Sequence, residues 1–152
     1  MSEENETERL ERNWSELLQE LRVTQTGTQI LTGFLLTLAF QPKFADLDAF
    51  QTDVYLVLVV VAALTTALAL APVSLHRYLF REGAKAQIVR ITNVILKATL
   101  AGVALVLTGT VMLIFGVVVG ITAGFIAGGA TLVVILVAWI ALPVLVNPDK
   151  RS

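Results

Sequence analysis

The sequence contains no cysteine and only one histidine. Without cysteine the chain can form no disulfide framework, no thiolate metal site and no lipidated cysteine. A single histidine cannot form a histidine cluster, and no nucleophile–base pair, metal-ligand spacing or phosphate-binding loop is present. We therefore predict no cofactor, no metal ion and no enzymatic activity.

Charged residues are scarce as well, at 15% of the chain with a net charge of -1. They cluster in a few segments and leave no broad basic surface, which argues against nucleic acid as a partner. The 56% hydrophobic content and the mean hydropathy of +0.79 lie outside the range of ordinary soluble domains. These values predict an integral membrane protein whose main partner is the lipid bilayer.

The long apolar stretches predict four membrane spans. The first stretch ends at Gln41-Pro42, where proline favours a helix stop, and Pro72 is expected to kink the end of the second. Residues 91–146 are too long for one crossing, so we place a hairpin at 118–122. The predicted fold is all-α, an integral membrane four-helix bundle. Its spans cover residues 23–41, 54–75, 93–117 and 121–146.

An amphipathic helix is predicted to precede the first span. Its apolar residues share one stripe at helical spacing, and its other side is polar. The stripe comprises Leu10, Trp14, Leu17, Leu18 and Leu21. We expect residues 1–22 to lie against the bundle or the membrane surface, or to form one bent helix with the first span, since no proline separates them. The acidic start does not resemble a signal peptide, so we expect it to be retained.

The distribution of Lys and Arg predicts the orientation in the membrane. Basic residues precede the first span, crowd the loop after the second span and occur again in residues 147–152. Cytoplasmic loops retain positive charge, so both termini are predicted on the cytoplasmic side of the cell membrane. The basic loop is predicted to attract anionic lipid.

Four polar residues share one face of the first span. Gln25, Thr28, Gln29 and Thr32 lie at offsets of three, four and seven residues. One interpretation is interhelical hydrogen bonding, with couplings of about 0.6 kcal/mol each. The alternative is a polar path for a cation or proton. Carriers of this kind usually hold an ionisable group near the midplane, and the spans contain no Asp or Glu, so we favour the first interpretation.

Charged residues gather at the predicted cytoplasmic ends of the spans. The group comprises Glu16, Glu20, Arg22, His76, Arg77, Arg90 and Lys97. We interpret these residues as interface anchors, with Lys97 extending to the headgroups. An alternative is a charge cluster at the inner mouth of the bundle, where Glu20 pairs with a basic side chain and His76 titrates in the physiological range.

Small residues recur at regular spacing in the second half of the chain. Such stripes let helix backbones approach closely, which drives helix association in lipid. They comprise Gly109, Gly116, Gly120, Gly124 and Gly128, and in the second span Ala63, Ala67 and Ala71. Gly116 is expected to end one helix and Gly120 to belong to the next. Packing within one chain and self-association are equally compatible with this pattern. The predicted function is therefore non-enzymatic, as a homo-oligomer or a small subunit of a larger assembly.

Three stretches carry a resemblance to a known family. They are residues 16–27 (Glu-Leu-Leu-Gln-Glu-Leu-Arg-Val-Thr-Gln-Thr-Gly), residues 41–44 (Gln-Pro-Lys-Phe) and residues 71–77 (Ala-Pro-Val-Ser-Leu-His-Arg). The chain resembles an uncharacterised family of small four-span bacterial membrane proteins that is common in actinobacteria. Members are sometimes labelled sodium:proton antiporters. The resemblance covers most of the chain and implies no established substrate or catalytic residue.

Overall fold

A computed structural model describes residues 6–79 and 85–141. Side chains are described for residue 12 and for residues 15–72 and 90–141. The fold is all-α. Its helices are α1 (Glu6–Leu38), α2 (Ala49–Leu79), α3 (Lys85–Val118) and α4 (Ile121–Leu136), with a short 3-10 helix at Pro42–Asp46 and a π-helical turn at Val137–Ala141. The predicted basic loop is shorter than expected, since His76 and Arg77 belong to α2, and Lys85 and Arg90 belong to α3. The Trp14 side chain, residues 80–84 with Arg81, and residues 142–152 lie outside the described parts.

Helix α1 is uninterrupted from Glu6 to Leu38, so the amphipathic segment and the first predicted span form a single helix. No proline lies within it, and every interior residue can therefore donate its backbone N–H to the helix. The first proline of the chain, Pro42, instead begins the 3-10 helix that follows. Of the two arrangements compatible with the sequence, the structure has the continuous helix.

Three helices are long and apolar enough to cross a membrane. They are Ala49–Pro72, Arg90–Val118 and Ile121–Ala141, with hydropathies of 2.6, 2.4 and 2.3. Each has at least 21 residues, and a bilayer core needs about 20. By length and composition these helices indicate a multi-pass membrane protein. Helix α1 is not among them: its first half is rich in charged residues, and residues 23–33 of its second half are rich in threonine, glutamine and glycine, which lower its hydropathy.

Consecutive helices run antiparallel, and α3 lies at the centre of the arrangement. Helices α1, α2 and α3 contact one another, and α4 packs against α3. A ring contact between Phe50 and Phe125, with centroids 6.5 Å apart, also joins α4 to the start of α2. The fold is therefore a bundle of four helices, as predicted, in which α1, α2 and α3 form a three-helix core and α4 packs on α3.

Buried residues recur at spacings of three and four on α2 and α3, and at spacings of seven on α1. Such a pattern averages about 3.5 residues per turn, the geometry of left-handed helix packing. The buried positions include Leu21, Thr28 and Leu35 on α1, Tyr55, Leu58, Ala62, Thr65 and Ala69 on α2, and Thr92, Leu96, Thr99, Val106, Thr110 and Leu113 on α3. The outward surface is apolar and includes Val60, Leu64 and Val133, as lipid contact requires.

The α3–α4 connection is a tight turn at Val119 and Gly120. The N–H groups of both residues donate to the carbonyl of Phe115, at 2.9 and 3.1 Å. Gly120 has φ 136° and ψ 162°, a region that is essentially restricted to glycine. Helix α3 continues through Gly116 to Val118, and Gly120 precedes α4 rather than belonging to it.

Replacing Gly120 with alanine should lower the free energy of unfolding by about 1–3 kcal/mol, because a Cβ is strained in this backbone conformation. No atom lies within 4 Å of the position of that Cβ, so the cost is conformational rather than steric. Detergent-titration unfolding would measure it. Gly129→Ala is the control, since Gly129 is helical and equally open. Equal free energies of unfolding for Gly120→Ala and Gly129→Ala would contradict the strained backbone conformation described for Gly120.

Candidate functional site

The polar face of α1 divides between the bundle interior and the outer surface. The Gln25 amide donates to the carbonyl of Ala69 at 2.7 Å. The Thr32 hydroxyl lies 3.0 Å from that of Thr66. Thr28 is buried and donates within its own helix, to the carbonyl of Gln25 at 2.9 Å. The structure thus brings Gln25, Thr28 and Thr32 to the helix interfaces, and Gln29 is exposed.

The bond from Gln25 reaches α2 beside its proline. Pro72 is buried inside α2 and cannot donate the N–H that would bond the carbonyl of Leu68. Ala69 follows Leu68, and its carbonyl accepts the Gln25 amide. In membrane helices, neighbouring helices commonly satisfy backbone groups near a proline. The Gln25 side chain therefore forms a hydrogen bond that links α1 to α2.

The space beside these polar residues is almost filled. A cavity of about 10 Å³ remains there, lined by Thr28, Leu31, Thr32, Ala62, Thr65, Val103 and Val106. One water molecule needs roughly 10–15 Å³ of such space. The Thr65 hydroxyl donates to the carbonyl of Val61 at 2.7 Å and is not directed at a solute. The arrangement joins helices, and the cavity beside it has room for about one water molecule.

Gln29 belongs to a second row of residues, on the outside of α1 and of the turn that follows it, which we call the outer seam. The row repeats at spacings of four and three, and every member is exposed. The outer seam comprises Arg22, Thr26, Gln29, Gly33, Leu36 and Phe40. Within the described residues the Gln29 side chain forms no hydrogen bond. Sequence reasoning placed Gln29 with Gln25 and missed this row, although its spacing is visible in the sequence.

The glycines of α4 lie against the backbone of α3. A Cβ on Gly124 would lie 2.6 Å from the carbonyl oxygen of Met112 and 3.0 Å from the Cα of Gly116. A Cβ on Gly128 would lie 2.9 Å from the Cβ of Met112. Gly124 and Gly128 therefore allow close packing within one chain.

Small residues also join α3 to α2. A Cβ on Gly109 would overlap the side chain of Leu58, and one on Gly102 would overlap Thr65. On α2 itself, Ala63 and Ala67 are exposed and Ala71 is partly buried. The described glycine contacts on α3 and α4 are thus internal, and the exposed alanines are separate from them.

The described members of the charged group stay at the surface. Glu16, Glu20, Arg22, Arg90 and Lys97 are exposed, and no ion pair within 4.0 Å joins them. Arg77, Arg90 and Lys97 are the basic residues that could pair with Glu20, and neither Arg90 nor Lys97 does so. The side chains of His76 and Arg77 lie outside the described residues, so pairing of Glu20 with Arg77 stays a prediction. Across residues 6–79 and 85–141, no group of three or more histidine or acidic side chains is placed to hold a metal ion.

An apolar pocket that the sequence did not predict lies at the end of the bundle opposite the charged group. The pocket has a volume of about 360 Å³. Its walls come from the ends of α1 and α3, the start of α2 and the intervening loop. They comprise Phe34, Leu38, Gln41, Lys43, Phe44, Leu47, Tyr55, Leu113, Ile114, Val117 and Val118. The sequence gives no signal for the whole pocket, since its α3 wall, formed by residues 113–118, is distant along the chain from the wall formed by residues 34–55.

Comparison with known proteins identifies a family without assigning an activity. No curated protein and no solved structure matches the chain. Residues 3–143 match the family described as "Family of unknown function (DUF6328)". This match spans nearly all of the 152 residues. The chain therefore belongs to this family of unknown function.

Proposed function

We propose that the chain is a non-enzymatic, four-span protein of the cell membrane that self-associates through the outer seam of α1. The exposed, unpartnered amide of Gln29 carries the proposal. In this proposal both termini are cytoplasmic, as the distribution of basic residues predicts.

The contacts between α1 and α2 support a fourth crossing. Gln25 bonds Ala69, and the Tyr55 hydroxyl donates to the carbonyl of Leu35 at 2.8 Å. These bonds set residues 25–35 of α1 beside residues 55–69 of α2. The latter lie within the apolar helix Ala49–Pro72. If that helix crosses the bilayer, this part of α1 occupies the same depth.

At that depth an exposed Gln29 would face hydrocarbon in a single copy of the chain. An amide that leaves water without a hydrogen bond costs free energy. A second copy supplies a matching partner, because a carboxamide both donates and accepts and can pair with its own kind across a two-fold axis. Thr26 and Gly33 flank Gln29 on the same seam, and small residues there allow close backbone approach.

The two exposed glycines of α1 provide a matched test. Gly33 lies on the outer seam and Gly27 does not, and a Cβ on either would meet open space in the single chain. Gly33→Leu should therefore weaken self-association without disturbing the fold, and Gly27→Leu should leave self-association unchanged. Single-molecule photobleaching in liposomes, at a series of protein-to-lipid ratios, measures the dimer fraction.

Gln29→Leu should weaken the dimer about eightfold, from the loss of two couplings of about 0.6 kcal/mol each. A wild-type chain that stays monomeric at all protein-to-lipid ratios would contradict the proposal. Equal dimer fractions for the two glycine variants would contradict the choice of seam.

A cation or proton path along the polar face of α1 is the alternative function, and it has less support. Gln25 and Thr32 bond α2, and the cavity beside them has about 10 Å³. Residues 23–38, 54–72 and 91–141 contain no Asp or Glu, the groups that commonly bind the ion in carriers. Ion flux in reconstituted vesicles that Gln29→Leu abolishes would favour this alternative.

A further inference from the structure

We propose that the pocket between the ends of α1 and α3 and the start of α2 binds one acyl chain of a phosphatidylethanolamine molecule, with Lys43 holding the phosphate and Asp46 the ammonium group. The proposal rests on the shape of the pocket, the chemistry of its walls and the charges beside its mouth.

The interior of the pocket suits a hydrocarbon chain. Nine of the residues that line it are apolar or aromatic, and the remaining two are Gln41 and Lys43. The volume of about 360 Å³ lies at the small end of the range for ligand pockets, roughly 300–1,000 Å³. Pockets of this size hold a single slender group. Apolar walls of this extent favour an apolar occupant over water.

The floor of the pocket is fixed by internal contacts. Tyr55 and Leu113 are buried there. The Tyr55 hydroxyl donates to the carbonyl of Leu35, so it is not available to a ligand. Phe44 packs edge-on against the Tyr55 ring, with centroids 4.8 Å apart, and thereby holds the 3-10 helix over the pocket. The floor of the pocket is therefore held in place by contacts within the protein.

Opposite charges lie together on the 3-10 helix at the mouth. Residues three apart are eclipsed in a 3-10 helix, so Lys43 and Asp46 project from the same side of Pro42–Asp46. Both residues are exposed, and neither forms an ion pair within the described residues. Lys43 is the only basic residue between Val23 and Pro72. An ammonium and a carboxylate side by side complement the phosphate and the primary ammonium of phosphatidylethanolamine.

The other carboxylates of the loop have separate roles. The Asp48 carboxylate accepts the N–H of Gln51 at 2.8 Å, and the Gln51 amide oxygen accepts the N–H of Asp48 at 3.2 Å. This reciprocal pair caps the start of α2. Asp53 lies one turn further along α2 and is exposed. None of the three aspartates lines the pocket, and Asp46 is the one that shares a side of the 3-10 helix with the pocket residue Lys43.

Native mass spectrometry of the full chain provides the test. The purified protein is mixed with equal amounts of phosphatidylethanolamine, phosphatidylglycerol and phosphatidylcholine that carry the same acyl chains. We expect one retained phosphatidylethanolamine per chain. Ile114→Trp and Val118→Trp fill the pocket from its partly exposed rim and should abolish retention. Leu64→Trp, at a surface position that is 60% exposed and remote from the pocket, should not.

Substitutions of the charged residues test whether Lys43 and Asp46 contact the lipid headgroup. Asp46→Asn should reduce the preference for phosphatidylethanolamine over phosphatidylcholine by up to about fivefold, the upper limit for one exposed ion pair. Asp53→Asn should leave that preference unchanged. Lys43→Gln should weaken retention of all three lipids, and Lys97→Gln, at the other end of the bundle, should not.

Three results would overturn the proposal. The first is lipid retention that survives both Ile114→Trp and Val118→Trp, and the second is preferential retention of phosphatidylglycerol. The third is an equal effect of Asp46→Asn and Asp53→Asn on the lipid preference. Circular dichroism and gel filtration establish that each variant is folded. The same mass spectra report the oligomeric state, so failure of the lipid proposal and failure of self-association are distinguished.

Discussion

Leu35→Ala is expected to lower the free energy of unfolding by about 2–5 kcal/mol, the range for removing a large side chain from a packed core. Leu35 is 1% exposed and belongs to the buried cluster formed with Tyr55, Leu58, Ala62, Val106 and Leu113. The substitution leaves a cavity where α1 meets α2 and α3. Unfolding by detergent titration in mixed micelles measures the difference.

Ile30→Ala is the matched control for this prediction. Ile30 lies on the same helix, is 67% exposed and belongs to neither the buried row nor the outer seam. Its truncation should change stability by about 0.5 kcal/mol or less. Similar losses for Leu35→Ala and Ile30→Ala would show that α1 is not packed into the core as described.

Gly124→Leu should separate α4 from α3 and cost about 3 kcal/mol, the upper part of the range for overpacking. The obstacle is a backbone carbonyl, that of Met112, at 2.6 Å from the new Cβ. A flexible side chain could move aside, but a helical carbonyl can yield only if the helices move apart. The expected result is a displaced α4 as well as a less stable protein.

The absence of cysteine makes this displacement directly measurable. Spin labels on Leu105→Cys and Leu132→Cys would report the distance between α3 and α4, and Gly124→Leu should lengthen and broaden it. Gly129→Leu is the control, since a Cβ on Gly129 meets nothing within 4 Å. Unchanged distances in both variants would contradict the glycine packing.

Local chain chemistry made the helices predictable. Proline at 42 and glycine at 120 mark the two described connections, and long apolar stretches indicate the helices between them. The tight turn falls within the predicted 118–122 hairpin. The continuity of α1 was one of two alternatives, because the sequence shows that nothing interrupts the helix but not whether it bends.

The orientation of individual side chains was harder to predict. Gln25 and Gln29 are one helical turn apart and differ by about 40° around the axis, so a sequence pattern places both on one face. The position of α2 decides that Gln25 bonds Ala69 and Gln29 stays outside. Similarly, the glycine repeat indicates close packing but does not identify the partner helix. The apolar pocket combines residues more than seventy positions apart and has no local signature.

The one-sided attachment of α4 has a consequence for local opening. Helices α1 and α2 are held by each other and by α3, but α4 depends on α3 and on the Phe50–Phe125 contact. Detaching a helix that has fewer interfaces can cost less free energy than unfolding the whole protein. We expect the amide hydrogens of α4 to exchange through such partial opening, ahead of those in the three-helix core. The protein would then behave as two cooperative units that share the surface of α3.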